Sequence, residues 1–300
     1  MADASPLVAV HGGAGAPDPS DASPASGAAP RLQGVRRAAD AALAILSRGG
    51  SALDAVEAAV RLLEDDPTFN AGTGACLAAS GEAELDASIM DGATLACGAV
   101  AGVKDVLNPV SLARRVMEGS EHVLLAGAGA SAFARVAGIP AIPNERLVTA
   151  AQRDRWQATR GSGATWRFGT VGAVARDAGG HLAAATSTGG MMGKLPGRVG
   201  DTPLIGCGTY ADDVLAAVSG TGHGERFIQL TLARHAADLV GAGRSAQQAA
   251  DEAIRLLGAR LQGQGGLIVV GPTGAAGLAM NTPAMARAWS TPEGKVEAAA

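Results

Sequence analysis

A chain of 300 residues with 47% hydrophobic and 17% charged side chains can bury a large core, and its net charge of -4 offers no polybasic field to nucleic acid or an anionic membrane. Cys76, Cys97 and Cys207 stand far apart without a CxxC pairing, which predicts a reducing, cytoplasmic setting rather than a disulfide framework. The stretch Met1-Ala2-Asp3-Ala4-Ser5-Pro6 has an acid and a proline where a secretory leader would have a basic region and an apolar core, and no run approaches the roughly 18 apolar residues of a membrane span.

In chain order, residues 7–10 read as a short apolar strand that ends in His11-Gly12-Gly13-Ala14-Gly15-Ala16. That spacing is not GxGxxG, and a Pro/Ser/Asp-rich stretch follows in place of a helix, so a dinucleotide loop is set aside for a tight turn or close backbone approach. Leu32, Val35, Ala39, Ala42 and Leu46 predict a helix over 31–48, and Ser51 with Asp54 reads as a capping box opening a second helix through Leu63-Glu64. The run from Asp65 to Gly74 has too many breakers to continue it and predicts an ordered loop of the kind that carries function. Residues 85–92 alternate as a half-buried strand with 97–103 as partner; Asn108 caps a helix that starts at Pro109 and runs through Met117; 122–126 is a further strand, and periodicity fades beyond Phe133.

Residues 140–167 are polar, basic and Gly/Ser-rich and predict a mobile linker, the natural division of the chain. Strands over 170–176 and 181–186 follow, joined by the hairpin signal Asp177-Ala178-Gly179-Gly180. After a glycine-punctuated segment come a strand over 214–219, a helix over 225–240, a helix capped by Ser245 and Gln248 to Leu261, and a closing hairpin of 266–270 with 278–280. Strands mixed with paired helices in both halves predict an α/β fold of two sheets packed face to face with helices outside both.

The usual hydrolase signatures are missing: the five histidines are scattered without metal-ligand spacing, there is no GxSxG elbow, and no cysteine has a reactive-site pattern. Threonines in Gly-rich turns remain. A threonine at a chain start can use its own α-amino group, with a pKa of roughly 7.7 to 8.0, as base toward its hydroxyl. Gly169-Thr170 suits the release of such a terminus, because a residue without Cβ tolerates a strained backbone and gives the hydroxyl access to the preceding carbonyl. Taken alone, the dipeptide reads first as the start of an ordinary strand.

Its neighbours carry a resemblance. Gly169-Thr170-Val171-Gly172-Ala173-Val174-Ala175, Ala185-Thr186-Ser187-Thr188-Gly189-Gly190-Met191, Pro196-Gly197-Arg198-Val199-Gly200-Asp201-Thr202-Pro203 and Gly220-Thr221-Gly222-His223-Gly224-Glu225 resemble the plant-type L-asparaginase and isoaspartyl peptidase family. His11-Gly12-Gly13-Ala14-Gly15 and Phe69-Asn70-Ala71-Gly72 match its first half, and Asn281-Thr282 with Met285, Arg287, Ala288 and Trp289 its end, so the likeness spans nearly the whole chain.

The resemblance implies a four-layer αββα sandwich of N-terminal-nucleophile type. It implies that the chain cuts itself between Gly169 and Thr170 into residues 1–169 and 170–300, which stay together as one folded unit and pair into a dimer. Thr170 would be the nucleophile, Thr188 its hydroxyl neighbour, Thr221 and Gly222 the oxyanion pair, and Asn70 a residue near the site. Arg198 and Asp201, a cation and an anion three residues apart, would grip the α-carboxylate and α-ammonium of an amino-acid head group; alone they would read as a surface ion pair. No cofactor is implied beyond a structural sodium ion, held mostly through the carbonyls of Leu63, Glu64, Asp66, Phe69, Ala71 and Thr73. His223 would tune preference. The implied substrates are L-asparagine and β-aspartyl dipeptides, with a relative that cleaves glycosylated asparagine and an uncleaved, non-catalytic scaffold as alternatives.

Overall fold

Alternation along short, alanine-rich strands sorts their side chains onto two faces, and both faces are buried. The computed structural model describes residues 5–15, 28–159, 169–291 and 293–300. Among them, β1 (Leu7–Gly15), β5 (Val171–Arg176) and β6 (Leu182–Thr188) form the centre of a large sheet. On one side it continues through β2 (Leu85–Asp91), β3 (Cys97–Val103) and β4 (Leu124–Ala126), and on the other through β11 (Ala284–Ser290) and β12 (Val296–Ala299). The order is β12-β11-β1-β5-β6-β2-β3-β4, antiparallel throughout except for β3 with β4. A smaller antiparallel sheet, β10-β9-β8-β7, is built from β7 (Thr209–Ala211), β8 (Ala217–Gly222), β9 (Gly265–Val270) and β10 (Gly277–Met280).

Helices α1 (Ala28–Ser47), α2 (Ala52–Asp65) and α3 (Pro109–Gly119) cover the outer face of the large sheet, where Val35, Val56 and Val60 share one buried cluster with Val10, Ala173 and Ala185. Helices α7 (Leu232–Gly241) and α8 (Ala246–Leu261) cover the small sheet, and Leu7, Val174, Leu182, Ala217 and Val270 join the two sheets inside. This is the expected αββα sandwich.

Along the inner face of each central strand the chemistry changes with position. β1 runs Leu7, Ala9, His11; β5 runs Arg176, Val174, Gly172; β6 runs Leu182, Ala184, Thr186, Thr188; β2 runs Met90, Ser88, Asp86. Register brings His11 opposite Gly172, Gly172 opposite Thr186, and Thr186 opposite Ser88. One end of the inter-sheet layer is therefore apolar and the other is lined by hydroxyls and an imidazole.

Several elements differ from the sequence reading. The glycine run after residue 10 is no turn: β1 continues to Gly15, with a register shift between His11 and Ala14. Helix α4 (Gly127–Val136) extends past Phe133. Where a linker was expected, a 3-10 turn (Asn144–Arg146) and α5 (Ala150–Thr159) are docked: Leu147 is fully buried and its carbonyl accepts the Gly74 N–H, while Gln152 donates to the Gly74 carbonyl. A helix that buries one glutamine shows no apolar stripe to find. Residues 160–168 lie outside the described residues. The helix expected over 225–240 breaks at Thr231, whose φ of 45° lies in the left-handed region, into α6 (Gly224–Leu230) and α7. The chain does not close at the hairpin of β9 and β10, because β11 follows and pairs with β1, and β12 pairs with β11. Ser51 caps α2 through the Asp54 N–H, and Ser245 with Gln248 completes a full capping box on α8. Asn108 makes no cap bond; its amide donates to Asp65 instead.

Candidate active site

The β1–β5 register ends at His11 opposite Gly172, and the β5–β6 register at Val171 opposite Ser187, so Thr170 stands one residue beyond the ladder at the hydroxyl end of the layer. Its side chain is buried and donates to the Thr188 hydroxyl at 3.2 Å, which in turn accepts the Gly190 N–H at 2.9 Å. Gly169, Thr170, Thr188, Arg198, Asp201 and Gly222 line one cleft.

Gly169 is held between two walls. A Cβ on Gly169 would come 2.9 Å from Asn70 Cβ, and a Cβ on Gly13 would come 2.7 Å from Gly169 Cα. Asn70 spends both ends of its amide on the neighbouring turn: Nδ2 donates to the Gly190 carbonyl at 2.7 Å and Oδ1 accepts the Cys76 N–H at 2.6 Å. It shapes the site as a wall.

The other expected residues separate into two groups. Gly222 lines the cleft, whereas Thr221 is fully buried behind it and its hydroxyl accepts the Ala14 N–H at 3.1 Å. Arg198 does not pair with Asp201. Its Nε and Nη2 form a fork on Glu225, each bond 2.9 Å, and its Nη1 edge points toward Gly190 and Gly200. Burial works to raise the Glu225 carboxyl, but the bonds and charge of Arg198 outweigh it and hold it below the usual glutamate range. Asp201 is buried and Oδ2 has no hydrogen-bond partner among the described residues; burial raises its carboxyl to about 7 against the pull of Arg198. His223 is half-buried, outside the cleft lining, with Nε2 3.8 Å from Glu225 Oε2; burial lowers its pKa.

Sequence reasoning missed a buried group beneath the nucleophile. His11 Nδ1 lies 3.0 Å from the Thr170 carbonyl oxygen and Nε2 lies 2.9 Å from Ser219 Oγ. Burial lowers the imidazole to about 3, opposed by the bond to Thr170, so the ring is neutral at ordinary pH. It also missed Lys194, whose buried Nζ donates to the Glu84 carbonyl at 2.8 Å and lies beside Gly190. The only available signal was a lone histidine before a glycine pair, which points as readily to core packing.

For the expected cation, no group of three or more His, Cys, Asp or Glu suited to a metal occurs among the described residues. The loop after α2 offers backbone oxygens. The Glu64 and Asp66 carbonyls accept N–H bonds from Thr73 and Phe69, each keeping a second lone pair, and a Cβ on Gly72 would come 2.5 Å from the Glu64 oxygen. An all-oxygen set of neutral donors fits a hard ion of low charge.

A family model described as asparaginase matches residues 4–299. The chain belongs to the asparaginase family. Among individual proteins, it is 46% identical to isoaspartyl peptidase/L-asparaginase of Danio rerio over 90% of this chain and 87% of that protein. It is also 46% identical to isoaspartyl peptidase/L-asparaginase of Homo sapiens, over 90% and 88%, and 45% identical to isoaspartyl peptidase of Escherichia coli, over 94% and 92%. Membership covers the fold described above and identifies a hydrolase.

Proposed function

We propose that this chain hydrolyses L-asparagine to L-aspartate and ammonia and cleaves β-aspartyl dipeptides, with Thr170 as a self-released nucleophile. The observation that carries the reading is the Thr170–Thr188 hydroxyl pair in a cleft that Arg198 and Asp201 also line. The names of the relatives at 45% to 46% identity point the same way.

Release begins with attack of Thr170 Oγ on the Gly169 carbonyl carbon. The acyl group passes from nitrogen to oxygen, and water then hydrolyses the ester, leaving a Gly169 carboxylate and a free Thr170 amine. In turnover that amine takes the hydroxyl proton as Oγ attacks the substrate β-carbonyl. The oxyanion is met by donors near Gly222, the proton passes to the leaving ammonia or amine, and water hydrolyses the aspartyl ester. Arg198 offers its Nη1 edge to the α-carboxylate, and ionised Asp201 takes the α-ammonium.

Denaturing mass analysis with ammonia and aspartate assays tests this: two fragments divided before Thr170, active on asparagine and β-aspartyl dipeptides, are expected. A single intact chain that turns over equally well would overturn it. The same reading includes a sodium ion on the loop after α2, tested by a higher melting temperature in sodium chloride than in choline chloride at equal ionic strength; equal values overturn the ion. It also includes a dimer, favoured by the exposed Val123 and Leu124 at the terminal strand of the large sheet and contradicted by a protomer mass in light scattering.

A further inference from the structure

Thr170 carries the chemistry in the reading above, yet it stands outside the backbone ladder of both its neighbours. Its carbonyl is held by a side chain instead, the buried imidazole of His11. The imidazole reaches it across a gap that the sequence keeps open: a Cβ on Gly172, the residue opposite His11, would collide with both Ser219 Oγ and His11 Nε2.

Behind the ring runs a line of buried hydroxyls. Ser219 Oγ lies 2.9 Å from His11 Nε2, Thr186 Oγ 2.7 Å from Ser219, Thr209 Oγ 2.6 Å from Thr186, and Ser88 Oγ 2.8 Å from Thr209. Ser88 also lies 2.6 Å from the Thr202 carbonyl, next to Asp201. Hydroxyl protons are not free to point at will here. The Thr170 carbonyl only accepts, so Nδ1 must carry the ring proton, and the neutral ring then accepts at Nε2. Ser219 must donate to Nε2, Thr186 to Ser219, and Thr209 to Thr186; Ser88, at the end of the line, gives its proton to the Thr202 carbonyl. All four hydroxyl residues and His11 are fully buried, so water does not compete for these bonds.

We propose that His11 is a positioning residue for the nucleophile, kept in its Nδ1–H tautomer by the Thr170 carbonyl it holds and steadied at Nε2 by the hydroxyl line Ser219-Thr186-Thr209-Ser88, which ties the ring to the loop carrying Asp201. Fixing that carbonyl fixes the backbone torsion that sets where the Thr170 amine and hydroxyl stand relative to each other and to the cleft. The role acts through Thr170 and does not require His11 to touch substrate. It rests on the assignment of Thr170 as nucleophile.

The test compares two amides with one another. Asparagine at position 11 can present its Nδ2 close to where Nδ1 stands, whereas glutamine places its amide nearer the Nε2 position. With self-cleavage verified by denaturing mass and kcat referred to cut protein, His11→Gln is expected to lower kcat by about 10- to 100-fold with KM within about twofold. His11→Asn should recover most of that loss. Ser219→Ala, which removes the hydroxyl holding Nε2 and frees the ring to tilt, should lower kcat in the same sense. Equal kcat for parent, H11Q and H11N, equal losses in both amide variants, or a loss confined to KM overturns the proposal.

An independent arm uses the parent protein. Nitrogen-15 spectra of histidine-labelled enzyme should show His11 as a neutral Nδ1–H tautomer from about pH 5 to 9, well above its lowered pKa. A neutral Nε2–H ring, or one that titrates in that range, overturns it. Absence of activity in the parent itself would instead count against the assignment of Thr170.

Discussion

The two ends of the inter-sheet layer are made by the same strands and packed to the same depth, yet they are built from opposite materials. At one end Leu7, Val174, Leu182 and Val270 meet as apolar side chains. Four residues along β1 and β6, His11 and Thr186 meet Ser219 and Thr209 of the small sheet through hydrogen bonds, with Gly172 leaving the gap. Apolar contact is non-directional and tolerates small shifts, whereas a buried hydroxyl must find its partner at a set distance and angle or lose its solvation without return. The difference teaches a division of labour: the apolar end supplies stability, and the polar end fixes the position of the residue at its tip.

The largest effect separating the two ends is expected from Thr170→Ala, which should leave one intact chain with the fold unchanged and cut turnover by at least about 10³-fold. Denaturing mass and an ammonia assay check it, and processing or turnover in that variant would remove Thr170 from the mechanism. Leu182→Ala, at the apolar end and fully buried, should cost about 2–5 kcal/mol in urea unfolding while the folded enzyme keeps its kcat. A fall in kcat larger than the loss of folded protein would blur the division. Arg198→Ala should raise KM by about 10- to 100-fold, the equivalent of losing a charge-assisted bond, and an unchanged KM would take it out of the site.

Acid sharpens the comparison further. Asp201, with its carboxyl near 7, takes an ammonium only when ionised, so KM should rise as pH falls through about 7 and Asp201→Asn should lose that dependence. A last effect concerns Glu64, on the helix side of the large sheet, whose carboxyl is pushed by burial to about 8 against the bond from the Val110 N–H. The folded protein then keeps a proton that the unfolded chain has lost above its ordinary pKa, so this group makes stability decline as pH rises from the ordinary glutamate range toward 8. Glu64→Gln should flatten that slope, read as urea midpoints at pH 5 and pH 8.

The polarity gradient was partly legible in advance. The hairpin signal Asp177-Ala178-Gly179-Gly180 identified β5 and β6, and Thr170, Thr188, Arg198, Asp201 and Gly222 were named from the sequence before the cleft brought them together. What a single strand does not reveal is its partner across the layer. Ser219 and Thr209 come from the second sheet, so the setting of His11 depends on contacts more than 200 residues apart in sequence, as the 208-residue separation from Ser219 shows. Glu225 was quoted in a motif but its fork on Arg198 needs α6 to begin at Gly224 and turn it back over the guanidinium. Thr221, expected as an oxyanion donor, sits buried on the inner face of β8, where its hydroxyl accepts the Ala14 N–H and keeps its own proton to donate, a setting that a lone strand does not reveal. The helix α5 and strands β11 and β12 were missed because their periodicity is weak and their partners are remote.

The strand order β12-β11-β1-β5-β6-β2-β3-β4 has a further consequence once the bond before Thr170 is cut. Strands β1 to β4 then belong to one fragment and β5, β6, β11 and β12 to the other, so the sheet alternates between them at three seams. Neither fragment owns the large sheet whole, and pulling them apart means unzipping β11 from β1, β1 from β5 and β6 from β2 together. The cut therefore creates a chain end without creating a separable piece. Recovery from denaturant changes its kinetic order at that moment: an intact chain refolds at a rate independent of concentration, whereas the cut protein has to find its other half, and its refolding should slow on dilution.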